Sequence, residues 1–184
     1  MSDPDRPRGG DLDLRTGDVS GVDVSAVLID SVDATAVDPV VFANMIRTAS
    51  DTQLEQALAS AREKILDEVF RRMEEHFDSE QAPGGETIMN WRLGGRPDGG
   101  HDHYQVIVRD GACVSRRGGE AVTPTVTFEL PAISFLRLAS GNIHGAALYL
   151  SGELKIEGDV AKALSVQRWF RIPEPTIGAK GGTA

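Results

Sequence analysis

The sequence predicts an α+β domain of two layers: a five-stranded, mainly antiparallel sheet covered on one face by helices. Three observations carry this expectation. Apolar residues recur every three or four positions between residues 39 and 77. They then alternate in four consecutive segments between 87 and 130, and a helix, strand, helix succession follows to about residue 172. Strands with one apolar and one mostly polar face need a lid, and helices are the lid this chain supplies.

Asp38-Pro39 opens the first helix, Asp as the acceptor for orphan amides and Pro at the first helical position; Phe42, Met45, Ile46 and Ala49 form its apolar face. Ser50 and Gln53 are spaced as a capping box and start a longer helix reaching about Phe77. Its stripe is Leu54, Leu58, Ala61, Ile65, Val69, Met73 and Phe77, widened by Leu66 and Phe70. Glu63, Lys64, Asp67, Arg71, Glu74 and Glu75 mark a solvated face. After the breaker run SEQAPGG the period becomes two. Met89, Trp91 and Leu93 share a face, as do Tyr104, Val106 and Val108. Asp110-Gly111 signals a hairpin into Ala112 and Val114, and Val126, Phe128 and Leu130 form a fourth strand. Pro131 begins a helix that stops at Gly141. NIHGAALYL is either a brief helix or an irregular turn, Leu154 and Ile156 lie on a fifth strand, and Asp159 caps a last helix, VAKALSVQRWF, ended near Ile172-Pro173.

Length allows one domain with tails: 1–37 an acidic, largely disordered segment, 38–173 the folded domain, 174–184 a flexible end. Within the first segment, Val22 to Ile29 alternates weakly and offers an edge strand or a docking peptide. The net charge is −9, and residues 1–38 hold nine Asp against three Arg, so the body is nearly neutral. That balance excludes general nucleic-acid binding, which needs a basic face, and disfavours charge-driven attachment to anionic membrane. No apolar run is long enough to span a bilayer, so no stable membrane insertion is expected, and neither end carries a recognisable address. A single cysteine, Cys113, excludes an internal disulfide and points to a reducing, cytoplasmic setting.

Chemistry is sparsely signalled. His101, His103 and Cys113 are placed to converge across a hairpin, with Asp102 or Asp110 as a further ligand; the bland alternative is a polar loop beside a half-buried thiol. LGGRPDGG and RRGGE lack phosphate-binding spacing, and no nucleophile elbow is present. No cofactor and no catalytic constellation are expected. Apolar supply is the stronger signal, since five apolar surfaces are offered to one sheet and can either pack solid or leave a cavity.

The segment VTFELPAISFLRLASGNIHGAALYLSGELKIEGDVAKALSVQRWF resembles the sterol carrier protein 2, or non-specific lipid-transfer, family. The match rests on Phe128, Phe135, Leu138, Gly141, Gly152, Leu154, Ile156, Gly158, Asp159, Leu164 and Phe170; the helix QALASAREKILDEVFRRMEEHF and the strands after it fit the family's opening. The chain departs from common forms at Glu153, where Lys is frequent, at Leu148 and Leu150, where Phe or Met often sits, and at Asn142, where a basic residue often follows the glycine. The resemblance implies a sterol-carrier-like fold, bacterial in look, with a hydrophobic tunnel between sheet and helices holding a lipid or sterol-like small molecule without catalysis. Burial of roughly 400 Å² would supply on the order of 10 kcal/mol gross. Association costs of about 4–15 kcal/mol leave micromolar affinity. Face assignment then gives the expected lining as Met89, Trp91, Tyr104, Val106, Phe128, Leu130, Phe135, Leu138, Leu148, Leu154, Ile156, Leu164 and Trp169. The alternative is an accessory module that presents a hydrophobic intermediate to a partner enzyme, or docks on it through residues 1–37.

Overall fold

Capping and period two decide most of the chain's path. In the computed structural model, which describes residue 26 and residues 39–82, 84–119 and 122–171, helix α1 spans Pro39–Thr48 and α2 Asp51–Glu75. Strands β1 (Thr87–Gly94), β2 (Asp102–Arg109), β3 (Ala112–Arg117) and β4 (Val126–Pro131) follow. Then come α3 (Ala132–Ala139), α4 (Gly145–Ser151), β5 (Lys155–Gly158), α5 (Val160–Ser165) and a 3-10 turn over Val166–Trp169. Ser50 and Gln53 close the expected capping box in both directions. Asp110 and Gly111 both take positive φ, as a tight right-twisting hairpin demands.

The sheet has the order β3-β2-β1-β4-β5. Three pairings are antiparallel, and β1 with β4 is parallel, so the sheet is mixed but mainly antiparallel. Register brings Tyr104, Trp91, Phe128 and Ile156 into one row across β2, β1, β4 and β5, with Val106, Met89 and Val126 in the next. These rows face the helices and are the core. The opposite face is not bare: Gln105 is fully buried there, donating to Asn90 Oδ1 at 2.9 Å and to the Gly119 carbonyl at 2.5 Å. At Gly158, φ is +97° and a Cβ would stand 2.5 Å from the Thr125 carbonyl oxygen, so only glycine fits between β4 and the turn where Asp159 caps α5.

Four expectations need correction. The long helix stops at Glu75; Phe77 instead pairs in an isolated antiparallel bridge with Phe170. Its backbone also breaks at Ala61 (φ −143°, ψ 34°), beside Arg62, whose guanidinium donates to the Leu93, Gly94 and Gly95 carbonyls and to Asp102. The charged face of this helix is partly a seam with the sheet edge rather than wholly solvated: Asp67 accepts from Tyr104, Glu74 accepts from the Ser115 amide and hydroxyl, and Glu63 pairs with Arg117. The final helix is shorter than its period suggested, passing at Val166 into a 3-10 turn. In the amino-terminal segment, where Val22 to Ile29 offered an edge strand or a docking peptide, Ala26 is helical and exposed, which speaks against the strand; the rest of residues 1–38 and residues 172–184, and with them the expected disordered and flexible tails, lie outside the described residues.

Candidate functional site: an apolar cavity beside the aromatic row

The aromatic row is roofed unevenly. Over β2 and β1 lies α2, whose Phe70 stacks on Tyr104 at 4.1 Å and on Phe135 at 4.9 Å between ring centres, closing that end. Over β4 and β5 the cover is made of short pieces: α3, the start of α4, α5 and the turn after it. There the layer does not close, and a cavity of about 390 Å³ remains. Trp91, Phe128 and Ile156 make its floor. Met73 of α2, Phe135, Leu138 and Ala139 of α3, and Leu154 supply walls, and Ala163, Leu164, Val166, Gln167 and Phe170 close the far side. His144, Gly145 and Ala146 also border it, and the exposure of His144 and Ala146 puts the mouth at the start of α4.

Seven of the thirteen expected lining residues therefore border the cavity: Trp91, Phe128, Phe135, Leu138, Leu154, Ile156 and Leu164. The other six, Met89, Tyr104, Val106, Leu130, Leu148 and Trp169, are buried in the core without bordering it. The reason is positional. Tyr104 is capped by Phe70, and Met89 and Val106 lie in the adjoining row, while Leu130 pairs with Leu93 farther along β1. Leu148 is the one α4 residue turned into the core, and Trp169 is packed where its carbonyl accepts from the Asp78 amide at 2.7 Å. Sequence reasoning missed Met73, Ala139, His144, Gly145, Ala146, Ala163, Val166, Gln167 and Phe170. Several are small residues on helical faces toward bulky strand residues, a pattern that a filled layer shares, so the sequence carried no signal that separates them from core.

Polar groups in this wall are few. Gln167 Oε1 accepts from the Gly145 amide at 3.1 Å, tying the last turn to the mouth of the cavity. The indole Nε1 of Trp91 is buried and has no acceptor among the described residues. A second hollow of about 50 Å³ shares Met73, Ala139 and Phe170 with the first and is bordered by His76; burial holds the His76 imidazole below its ordinary pKa, so it is neutral near pH 7. A wider recess of about 1140 Å³ lies at the other end of the sheet. Its charged groups largely pair with one another, Arg62 with Asp102 at 2.5 Å and Arg96 with Asp102 at 3.1 Å, and Arg96 holds the Asp98 carboxyl down to about 2. Charged side chains make up much of its lining beside Leu58, Ala132 and Ile133, so the smaller, almost wholly apolar cavity is the candidate site.

The expected convergence of His101, His103 and Cys113 does not form. Cys113 pairs with Val108, five residues along β2 from His103. At ~3.3 Å per residue that is roughly 16 Å. Burial, then Glu74, pushes the Cys113 thiol up to about 12, so it is a thiol rather than a nucleophilic thiolate. No group of three or more metal-ligating side chains occurs among the described residues.

Helices over one face of a sheet, with an apolar hollow left between the layers, define a class of fold suited to holding hydrophobic small molecules. Residues 66–171 match the SCP-2 sterol transfer family, and the chain belongs to that family, whose members bind or transfer lipids and sterols. It is 23% identical over 78 residues to the oleate-induced peroxisomal protein POX18 of Candida maltosa, covering 42% of this chain and 61% of that one. The chain thus spans about three fifths of that relative's length. Among solved structures, the inverting sec-alkylsulfatase Pisa1 from Pseudomonas sp. aligns over 83% of this chain and 28% of its own, with 15% identity and a TM-score of 0.52. Sterol carrier protein 2 from Yarrowia lipolytica, in its apo form, aligns over 59% of this chain and 88% of its own, with 16% identity and a TM-score of 0.45. At such identity the likeness to the sulfatase shows the fold alone. Two departures from common family forms are locally satisfied: Glu153 accepts from the Ser134 hydroxyl at 2.8 Å, and Asn142 accepts from Arg47 at 2.9 Å. No helix among the described residues is long and apolar enough to cross a membrane.

Proposed function

We propose that this chain is a non-catalytic, cytoplasmic carrier that holds a lipid or comparable hydrophobic molecule in the cavity between its sheet and its short helices. The observation that carries the reading is the cavity itself, about 390 Å³ and walled almost entirely by aliphatic and aromatic side chains. That volume falls within the roughly 300–1,000 Å³ of small-molecule sites. Broad selectivity follows, because few polar groups are present to reject one apolar guest over another. Native mass spectrometry of the purified protein tests this: a co-purified lipid, or saturable uptake of a fluorescent fatty-acid analogue, supports it. An empty protein that takes up no such analogue refutes it.

A second reading, an accessory module that presents a hydrophobic intermediate to a partner enzyme, draws support from the sulfatase, in which a similar fold occupies about three tenths of a longer chain. The exposed Leu150 and Tyr149 on α4, close to the mouth, suit such a contact. Under either reading, removing residues 1–38 leaves uptake intact. Loss of uptake on that deletion would give the acidic segment a part in ligand binding rather than in tethering.

A further inference from the structure

Of the described residues that border the cavity, three are exposed, His144, Ala146 and Leu164, and of these the histidine alone is polar. No Lys, Arg, Asp, Glu, Cys or Tyr borders the cavity among the described residues, so His144 is the wall's one titratable side chain. Its imidazole makes no capping bond to α4. Gln167, half-buried, has its oxygen on the Gly145 amide and carries no charge. The elements that meet at the mouth add mainly cations. Arg47 of α1 donates to Asn142, Arg137 of α3 pairs with Asp51, Lys162 lies on α5, and Arg168 is exposed on the 3-10 turn. Acids on the same stretches are engaged: Asp51 by Arg137, Glu153 by the Ser134 hydroxyl, and Asp159 by the Lys162 amide. Tyr149 of α4, an exposed phenol, completes the set. Space sets the orientation of a guest. At about 30 Å³ for a water-sized group, a cavity of about 390 Å³ takes a chain of ten or so methylenes. A polar head would lose its hydration inside the apolar walls, so the tail lies inward and the head stays at the mouth, where His144 is.

We propose that His144 is the head-group contact of the cavity, its imidazolium pairing with the charged head of an anionic single-chain amphiphile seated tail inward. The site then favours anionic over cationic amphiphiles of equal chain length, by a margin that grows as the imidazole gains its proton, which imidazoles do between pH 8 and 5. This deepens the carrier reading and rests on the cavity being the ligand site, and the test separates the two claims.

Three ten-carbon probes, decyl sulfate, 1-decanol and decyltrimethylammonium, keep their charge between pH 5.5 and 8. Each is titrated into the full chain and into His144→Gln at both pH values, below its micelle concentration. Comparison with the variant removes what the net charge and the other three histidines contribute. Beyond the change seen in His144→Gln, decyl sulfate binds the wild type about fivefold more tightly at pH 5.5 than at pH 8, as expected for one solvent-exposed ion pair. Decanol shows no such excess, and the cation weakens. A second measurement needs no variant: binding of decyl sulfate raises the pH at which the His144 imidazole gains its proton, followed by NMR, because the coupling is reciprocal, and decanol leaves it in place. The same pH response in wild type and His144→Gln, or an imidazole titration that decyl sulfate does not move, overturns the head-group contact and leaves the carrier reading standing. A cation that tightens along with the sulfate, in excess of the variant, overturns the choice of an anionic ligand. Failure of all three probes to bind overturns both claims.

Discussion

Ala163 offers the sharpest test of where a guest would sit, because it is buried, lies on α5 and borders the cavity with a methyl group. Ala163→Phe puts a ring into that space. A benzene-sized guest needs a void of about 150 Å³, which is more than a third of the 390 Å³ present. At about 30 Å³ for a water-sized group, the ring displaces roughly five methylenes of a ligand that fills the cavity. Each is worth ~0.8 kcal/mol, so the loss is ~4 kcal/mol. That is close to three orders of magnitude in affinity. The assay is displacement of a fluorescent fatty-acid analogue, read beside the thermal melting curve. Melting is unchanged or raised, because the ring occupies space that is already empty. Ala139→Phe approaches from the α3 wall and gives the same loss by an independent route, while Leu150→Ala, 86% exposed near the mouth but not bordering the cavity, leaves affinity alone. Wild-type affinity in both folded phenylalanine variants refutes the assignment of the cavity as the binding place.

Leu154→Asp places a carboxylate where a 4% exposed leucine borders the cavity; it lowers the melting temperature by on the order of 10 °C or prevents folding, and a soluble protein melting like wild type would contradict that burial. Arg62→Ala strips Asp102 of its closest partner and three carbonyls of their donor, costing about 2–4 kcal/mol in urea denaturation. The His76 pKa is lowered by burial, so the unfolded chain binds the extra proton first: stability falls as pH drops below about 6.5 toward the folded-state value, and His76→Phe flattens that part of the curve. Glu68, held down chiefly by Arg71 and then Arg72, adds a separate loss below about pH 4.5, so a His76→Phe protein whose stability still falls across the upper window would assign that titration elsewhere. With its thiol pushed up to about 12, Cys113 holds about one part in 10⁴ as thiolate at pH 8. It reacts far more slowly with a disulfide reagent than a free cysteine does, and prompt labelling would show that β3 opens.

Alternation and capping made the sheet legible, because each depends on neighbours in sequence. Trp91 and Phe128 belong to one face by parity alone, and Ser50 with Gln53, or Asp159 before α5, satisfy amides within three residues. The parallel β1-β4 pairing, the break at Ala61 and the passage to a 3-10 turn at Val166 depend on contacts remote in sequence. Arg62 finds its acceptors 31 to 40 residues away, and Phe170 pairs across to Phe77. Parity says which residues face inward and is silent on what meets them there. Tyr104 and Trp91 are equivalent by that measure, yet Phe70 covers one and the cavity borders the other.

Why the hollow lies where it does follows from the lengths of the covering pieces and the size of their side chains. A helix of 25 residues reaches across β2 and β1 and sets Phe70 into the row, so that half packs ring on ring. The other half is covered by helices of seven and six residues, bent between by Gly152 and Gly158, whose inward surface includes Gly145, Ala146 and Ala163. Methyl groups and hydrogens cannot reach the floor made by Trp91, Phe128 and Ile156. Nor can the short helices settle onto it freely, because Gln167 bonds back to Gly145, the Leu154 amide to the Leu148 carbonyl, and the Asp159 amide to the Thr125 carbonyl. The cavity is thus held open by hydrogen bonds at its rim while its walls stay apolar, an arrangement that preserves the space whether or not a guest fills it.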